Sequence, residues 1–222
     1  MITIHQLEHS PFCIPVVAAL KSLDIPFKTL QVSNANRSRI IKLTKGEYYQ
    51  VPVLVDGKHI IYESTPESQD VARYIDSKFG GGRLFPKALE GLQSIVISYL
   101  ENDVEGVTFK LVDPKYLASV TDMVERMSII RHKERKFGRG CVDLWKSQAP
   151  QLRAQAEKVL APFEGTFKHS DFIFGPAPVY ADFLLYGIIG NLTYRKFNPI
   201  PPRLKALIGW EKRMRTFRFP LA

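Results

Sequence analysis

The chain has 222 residues, 45% of them hydrophobic and 24% charged, which is enough apolar material for a packed core and enough length for two domains. No uninterrupted apolar run of about eighteen residues occurs, which excludes a spanning helix. The start, Met1-Ile2-Thr3-Ile4-His5, lacks the basic and apolar regions of a secretory signal, so none is expected. Two cysteines, Cys13 and Cys141, are too few for a disulfide framework and point to a reducing, cytoplasmic setting. The net charge is +9. Much of the excess lies in residues 131–136 and 205–218, where Glu and apolar residues are interleaved at helical spacing. That pattern predicts solvated helix faces, with attraction of anionic small molecules or a weak polyanion surface as the alternative. Zinc-finger spacing, an aromatic RNA-binding signature and a long basic tail are all missing, so nucleic acid is not the expected partner. His and Cys show no metal-ligand spacing, so no metal is expected.

Residues 1–7 alternate as a strand, and residues 12–23 carry apolar positions suited to a buried helix with Pro15 in its first turn. Asp24-Ile25-Pro26 stops that helix, and residues 27–32 alternate as a second strand. A short helix is predicted over 37–45. Residues 51–55 and 59–62 flank Asp56-Gly57, a strong hairpin signal. Ser64 or Thr65 is expected to cap a third helix, with Pro66 in its first turn, Glu67 three residues after Ser64, and an end near Phe79. The order βαβαββα predicts a mixed sheet of four strands with one crossover and one hairpin. After the Gly-rich stretch at 80–82 the alternation ends. Helical patterns follow over 88–111, 116–137, 142–169, 180–192 and 204–217, with Pro150 kinking or splitting the third. The expected domains are 1–79 (α/β) and 88–222 (all-α), joined by a linker at 80–87.

Two short segments carry the chemistry. Ser10-Pro11-Phe12-Cys13 stands at a strand-to-helix turn, where a hydroxyl or thiol meets the positive end of the helix dipole. Val51-Pro52 opens an apolar strand, a place where proline's missing N–H costs no ladder bond. Together they suggest a site that holds a thiolate at a helix N-terminus. A plain N-cap role for Ser10 is the alternative. Cys13 reads equally as a small buried hydrophobe.

These features, with Glu63-Ser64 before the third helix and Gly175 to Phe183 as a helix-start motif, resemble the glutathione transferase family, in its bacterial cytosolic, Ser-type form. The resemblance covers essentially the whole chain. It implies a thioredoxin-like, glutathione-binding N-terminal domain followed by an all-helical domain that contributes the hydrophobic substrate site. It implies that Ser10 hydrogen-bonds the glutathione sulfur and lowers its pKa toward neutrality. The thiolate then attacks a hydrophobic electrophile in a homodimeric detoxification enzyme. Phe12, Cys13, Gln50, Val51, Pro52, Glu63 and Ser64 fall at glutathione-contacting positions. Val51 would offer its backbone to the cysteinyl part, and Glu63 and Ser64 would hold the γ-glutamyl end. Gln50 and Lys42 or Lys45 would reach the glycyl carboxylate. The second-substrate pocket is expected among Phe12, Tyr48, Tyr49, residues 105–110 and Trp145. Asp182 would supply half of a capping box, since Val179 replaces the usual Ser or Thr. Residues 134–142 are similar to bacterial relatives of aryl-ether-cleaving transferases. Two alternatives stay open: a thiol oxidoreductase or lyase acting through Cys13, and a non-catalytic interaction module of the same fold.

Overall fold

β1 (Ile2–Gln6) is a central strand of a four-stranded sheet in the computed structural model, which describes residues 1–65 and 69–220. On one side it pairs in parallel with β2 (Phe27–Gln31), Ile2 opposite Phe27. A parallel pair needs a crossover, and α1 (Cys13–Ser22) supplies it. On the other side β1 runs antiparallel to β3 (Val53–Asp56), Ile4 opposite Leu54, and β4 (His59–Ile61) closes the edge. Gly57 turns the hairpin at φ 60°, a left-handed value that costs little without a Cβ. The sheet order β2-β1-β3-β4 is the expected mixed, thioredoxin-like arrangement.

α2 (Ser38–Leu43) buries Ile40. The third helix differs from expectation. α3 (Asp70–Ile75) begins later than the Ser64 or Thr65 cap implied, and passes into a π turn over Asp76–Gly80. Glu63 and Ser64 therefore stand six or more residues ahead of it, and the expected roles of Pro66 and Glu67 lie outside the described residues.

From residue 87 onward the described chain is almost entirely helical. α4 (Glu90–Tyr99) runs through a π turn (Leu100–Val104) into α5 (Glu105–Ser119). A break between residues 111 and 116 was the expectation, yet α5 continues through Pro114. Proline in a helix interior costs about 3 kcal/mol. Leu111, Val112 and Leu117 are nearly inaccessible around it, each contributing about 1.5–3 kcal/mol by burial, so packing outweighs the break. α6 (Met123–Phe137) follows, and the expected third helix divides at Gln148 into α7 (Cys141–Ser147) and α8 (Ala149–Thr166).

α9 (Tyr180–Leu192) is apolar all round and buried along nearly its whole length, as a central core helix must be. It packs against α1, and α10 (Lys205–Thr216) covers it with fully buried Trp210. Asp182 accepts from Val179 N at 3.1 Å, the expected half of the capping box, and also from Ile173 N and Trp210 Nε1, both at 3.0 Å. One contiguous apolar core joins Ile4, Val16 and Leu54 of the sheet region to Phe183, Ile188 and Trp210. Among the described residues, no helix is long and apolar enough to cross a membrane.

Candidate active-site cleft

β1 delivers the chain to a tight turn before α1. Ser10 N donates to Leu7 O at 3.0 Å, and Cys13 N and Ile14 N both donate to Ser10 O at 3.1 Å. The Ser10 side chain joins the turn, its Oγ accepting from Phe12 N at 3.3 Å. A hydroxyl has one donor and two acceptor sites, so this bond leaves its O–H as a donor. α9 holds the turn from behind. Asn191 Nδ2 donates to His9 O at 2.6 Å. A Cβ on Gly187 would stand 2.3 Å from Pro11 O and 2.5 Å from Pro15 Cδ. Only a bare Cα fits there.

Ser10 faces a cleft of about 1120 Å³. Phe12, Tyr49, Gln50 and Val51 border it beside the turn, and the Val51–Pro52 peptide is cis. Arg37, at the start of α2, lines the same cleft. Its Nη1 is buried without a hydrogen-bond partner among the described residues. Burial lowers its pKa from the usual guanidinium value, and the cation still gains by meeting an anion. His9 also lines the cleft, stacked on Tyr116 at 4.1 Å between ring centroids. Burial pushes its pKa down to about 4, so the imidazole is neutral near pH 7.

The far wall is helical. Glu105, Phe109 and Asp113 recur every four residues on α5 and so share the face that borders the cleft. Burial raises Glu105 to about 7 and raises Asp113, whose carboxylate lies 2.6 Å from Lys133 on α6. The Lys133 ammonium also stands 4.7 Å from the Phe109 ring centroid. Among the described residues, no group of three or more His, Cys, Asp or Glu is placed to hold a metal ion.

Residues 4–83 match the family model described as glutathione S-transferase, N-terminal domain. No curated protein matches the chain in sequence. Solved structures resemble it end to end. Glutathione transferase GSTFuA3 from Phanerochaete chrysosporium is 14% identical with a TM-score of 0.79, the alignment covering 100% of this chain and 98% of that one. CsGST63524 of Ceriporiopsis subvermispora, in complex with glutathione, is 17% identical at TM-score 0.77, over 100% and 99% of the two chains. Glutaredoxin 2 from Salmonella typhimurium, also in complex with glutathione, is 19% identical at 0.72, over 97% and 95%. The fold is the glutathione transferase fold.

Within that fold, the expected site residues divide. Ser10, Phe12, Gln50 and Val51 come together along the cleft, with Pro52 directly behind Val51. Cys13 does not join them. Its side chain is fully buried, and burial pushes the thiol up to about 11 against the opposing pull of Ser10. Glu63 and Ser64 do not border the cleft either. Glu63 instead accepts from Asp70 N at 2.7 Å and so caps α3, while Asp70 takes the N–H groups of Ser64 and Thr65 at 2.6 and 2.8 Å. Burial raises Glu63 to about 8.

Lys42 points elsewhere, into a recess with Thr3, His5 and Arg39, and Lys45 does not border the cleft. Positions 37 and 42 are five residues apart, about 140° around a helix, so Arg37 faces the cleft when Lys42 cannot. Tyr48 stacks on Tyr62 at 5.2 Å, away from the cleft. Trp145 is buried behind Phe109, edge-on at 5.3 Å. Sequence reasoning missed Arg37, His9, Tyr116 and the cleft face of α6. His9 was adjacent to the recognised turn, but nothing in the chain's order pairs it with Tyr116.

Proposed function

We propose that the chain is a glutathione transferase in which the Ser10 hydroxyl stabilises the thiolate of bound glutathione. The thiolate attacks an electrophilic carbon of a second, hydrophobic compound, forming a carbon–sulfur bond as the leaving group departs or the double bond accepts the electrons. The observation that carries this reading is that Ser10, Val51 and Arg37 line one cleft, in a region matched by the glutathione S-transferase N-terminal model. Val51 offers its backbone to the cysteinyl part. Arg37, whose Nη1 is buried without a hydrogen-bond partner among the described residues, takes the glycyl carboxylate, with Gln50 lining the same cleft. A donor aimed at a developing or settled sulfur anion, near a helix N-terminus, favours thiolate over thiol.

The burial of Cys13 supports Ser10 over Cys13 as the working group, since a nucleophilic cysteine needs exposure and a depressed pKa. Phe12, Phe109 and Met127 give the second compound an apolar surface. The exposed Leu92 and Ile95 of α4 support a homodimer, the expected assembly, and a cytoplasmic protein is the setting in which two free cysteines persist.

The test is a calorimetric titration with glutathione, followed by a pH titration of the bound sulfur by its thiolate absorbance. Saturable binding at millimolar or lower concentration and ionisation near neutrality are expected. No binding at millimolar glutathione would leave a non-catalytic module of the same fold as the better reading.

A further inference from the structure

The sheet has a second face that the Ser10 cleft does not use. Side chains alternate along a strand, so Ile2, Ile4 and Leu54 enter the core while Thr3 and His5 take the opposite side. In register beside them stand Lys28 and Leu30 on β2 and Val55 on β3. α2 borders this face through Arg39, Lys42 and Leu43, which are spaced three and four apart and so share one side of the helix. Strands and helix together enclose a recess of about 530 Å³. It shares no lining residue with the cleft.

Exposure sorts the lining into layers. Lys28, Arg39 and Lys42 are exposed, and Leu30, Leu43 and Val55 are half-buried. His5 is only 6% exposed. The rim is therefore cationic and the floor mostly apolar. Among the described residues, no carboxylate borders the recess, and none of the three cations has an ion-pair partner. Asp56, next in the chain after Val55, is held by Tyr74 and Lys78. Burial and the nearby Arg39 guanidinium both lower the His5 pKa. Its Nδ1 is buried without a hydrogen-bond partner among the described residues. Cations gathered without a counter-ion concentrate anions, and a buried polar atom without a partner is costly. An anion that brings acceptor oxygens answers the first, and a polar group carried in with it answers the second.

We propose that this recess is a separate binding site for a small organic phosphate, a phosphoryl group on a compact apolar body. Lys28, Arg39 and Lys42 meet the phosphoryl oxygens, and the body lies on Leu30, Leu43 and Val55. Three cations around one recess exceed what a singly charged carboxylate balances. A phosphate monoester carries between about 1.5 and 2 negative charges near pH 7, with three strong acceptor oxygens. Arg39 can meet two of those oxygens at once. The apolar floor favours an esterified phosphate over the free ion, which has nothing to lay on it. The inference is independent of the transferase reading of the cleft.

The experiment follows the amide resonances of the nitrogen-15-labelled full chain as phenyl phosphate, inorganic phosphate or neutral benzyl alcohol is added. Phenyl phosphate is expected to shift Thr3, His5 and Leu30 saturably. It should bind about tenfold more tightly than benzyl alcohol, the scale of a few partly screened charge contacts. Inorganic phosphate should shift the same amides at several-fold lower affinity, because it buries no ring. In the variant K28Q/R39Q both positions are exposed, so the fold is kept, which thermal unfolding verifies. Its affinity for phenyl phosphate should fall about tenfold, whereas R135A/K136A, on the α6 wall of the cleft, should leave that affinity unchanged. Shifts confined to cleft residues such as Phe109 and Met127 overturn the proposal, and so does an affinity that survives K28Q/R39Q. Inorganic phosphate binding as tightly as phenyl phosphate overturns the organic ligand and leaves a site for the free ion.

Discussion

The Lys133 ammonium on α6 lies 2.6 Å from the Asp113 carboxylate on α5, and it ties a helix with no buried residue to the core. The tie matters because α6 forms one wall of the cleft. Glu125 adds a second, accepting from Asn34 N at 2.9 Å. Lys133→Ala leaves a buried carboxylate without its cation and should cost roughly 1–3 kcal/mol. Urea unfolding measures it. Replacing both partners, Asp113→Asn with Lys133→Met, should recover most of the loss, because no unpaired charge then remains. A double variant as unstable as the single one would show that the pair is not the cause.

Ser10 and Cys13 are three residues apart yet separate cleanly in chemistry. Ser10→Ala should lower kcat/KM for conjugation by roughly 10²–10³-fold, the scale of removing one donor from a developing anion, with a smaller change in glutathione affinity. Cys13→Ala should leave the rate within a few fold and lower stability by roughly 1 kcal/mol through the small cavity. Both thiols should resist a disulfide reagent in the native state and react promptly in denaturant. Prompt native modification of Cys13 with loss of turnover would favour the oxidoreductase alternative.

Gly187 sets how closely α9 approaches the turn that carries Ser10. Gly187→Ala places a methyl 2.3 Å from Pro11 O, and the atom it meets is backbone. Overpacking of this kind costs roughly 1–3 kcal/mol. The displacement falls on the turn, so glutathione affinity should drop along with thermal stability. A variant that loses stability but binds glutathione as before would mean that the turn does not depend on α9.

The cleft carboxylate Glu105 gives a pH signature. Burial raises it from 4.5 to about 7, so the native state holds its proton over a range in which the unfolded chain has released it. Stability from this group is fully present below about pH 4.5 and declines as pH rises toward about 7. Glu105→Gln should therefore match the wild type near pH 4 and exceed it above pH 7 by up to roughly 2–3 kcal/mol. Chemical denaturation at a series of pH values reads the difference. Parallel profiles for the two proteins would refute the shift.

Leu92 and Ile95 are 56% and 69% exposed on the outer face of α4, an unusual cost for a surface that stays wet. If they form the dimer contact, Ile95→Asp should convert the protein to a monomer by sedimentation while leaving the far-ultraviolet dichroism unchanged. An unaltered sedimentation coefficient would place the contact elsewhere.

How far the chain could be read depended on the range of the interaction. The strand alternation of β1, the Asp56-Gly57 turn and the Ser10 turn are local patterns, and each appeared where periodicity placed it. The start of α3 was misread because Ser64, with Glu67 three residues on, meets the local capping pattern, whereas α3 begins only at Asp70. Glu63 does cap α3, but from seven residues away, a separation that local capping patterns do not encode. Pro114 misled in the other direction, since local propensity knows nothing of Leu111, Val112 and Leu117 packing around it. The cleft face of α6 was read as a solvated helix face because interleaved charge looks the same whether it borders bulk water or a ligand cleft. Arg37 and Lys42 look equivalent in the chain, and only the helix geometry of α2 tells them apart.

The support of the Ser10 turn by Asn191 and Gly187 has a practical consequence for dissecting this protein. The last described residues return as well: Phe219 N donates to Ser22 O at 2.7 Å, and Arg83 Nη1 donates to Pro220 O at 3.0 Å. A fragment ending at the Gly80–Gly82 stretch would keep every strand of the sheet but expose the α1 surface that α9 covers. Such a fragment should aggregate or loosen at the turn itself. Cutting the gene at its apparent seam would discard the scaffold that shapes the Ser10 turn.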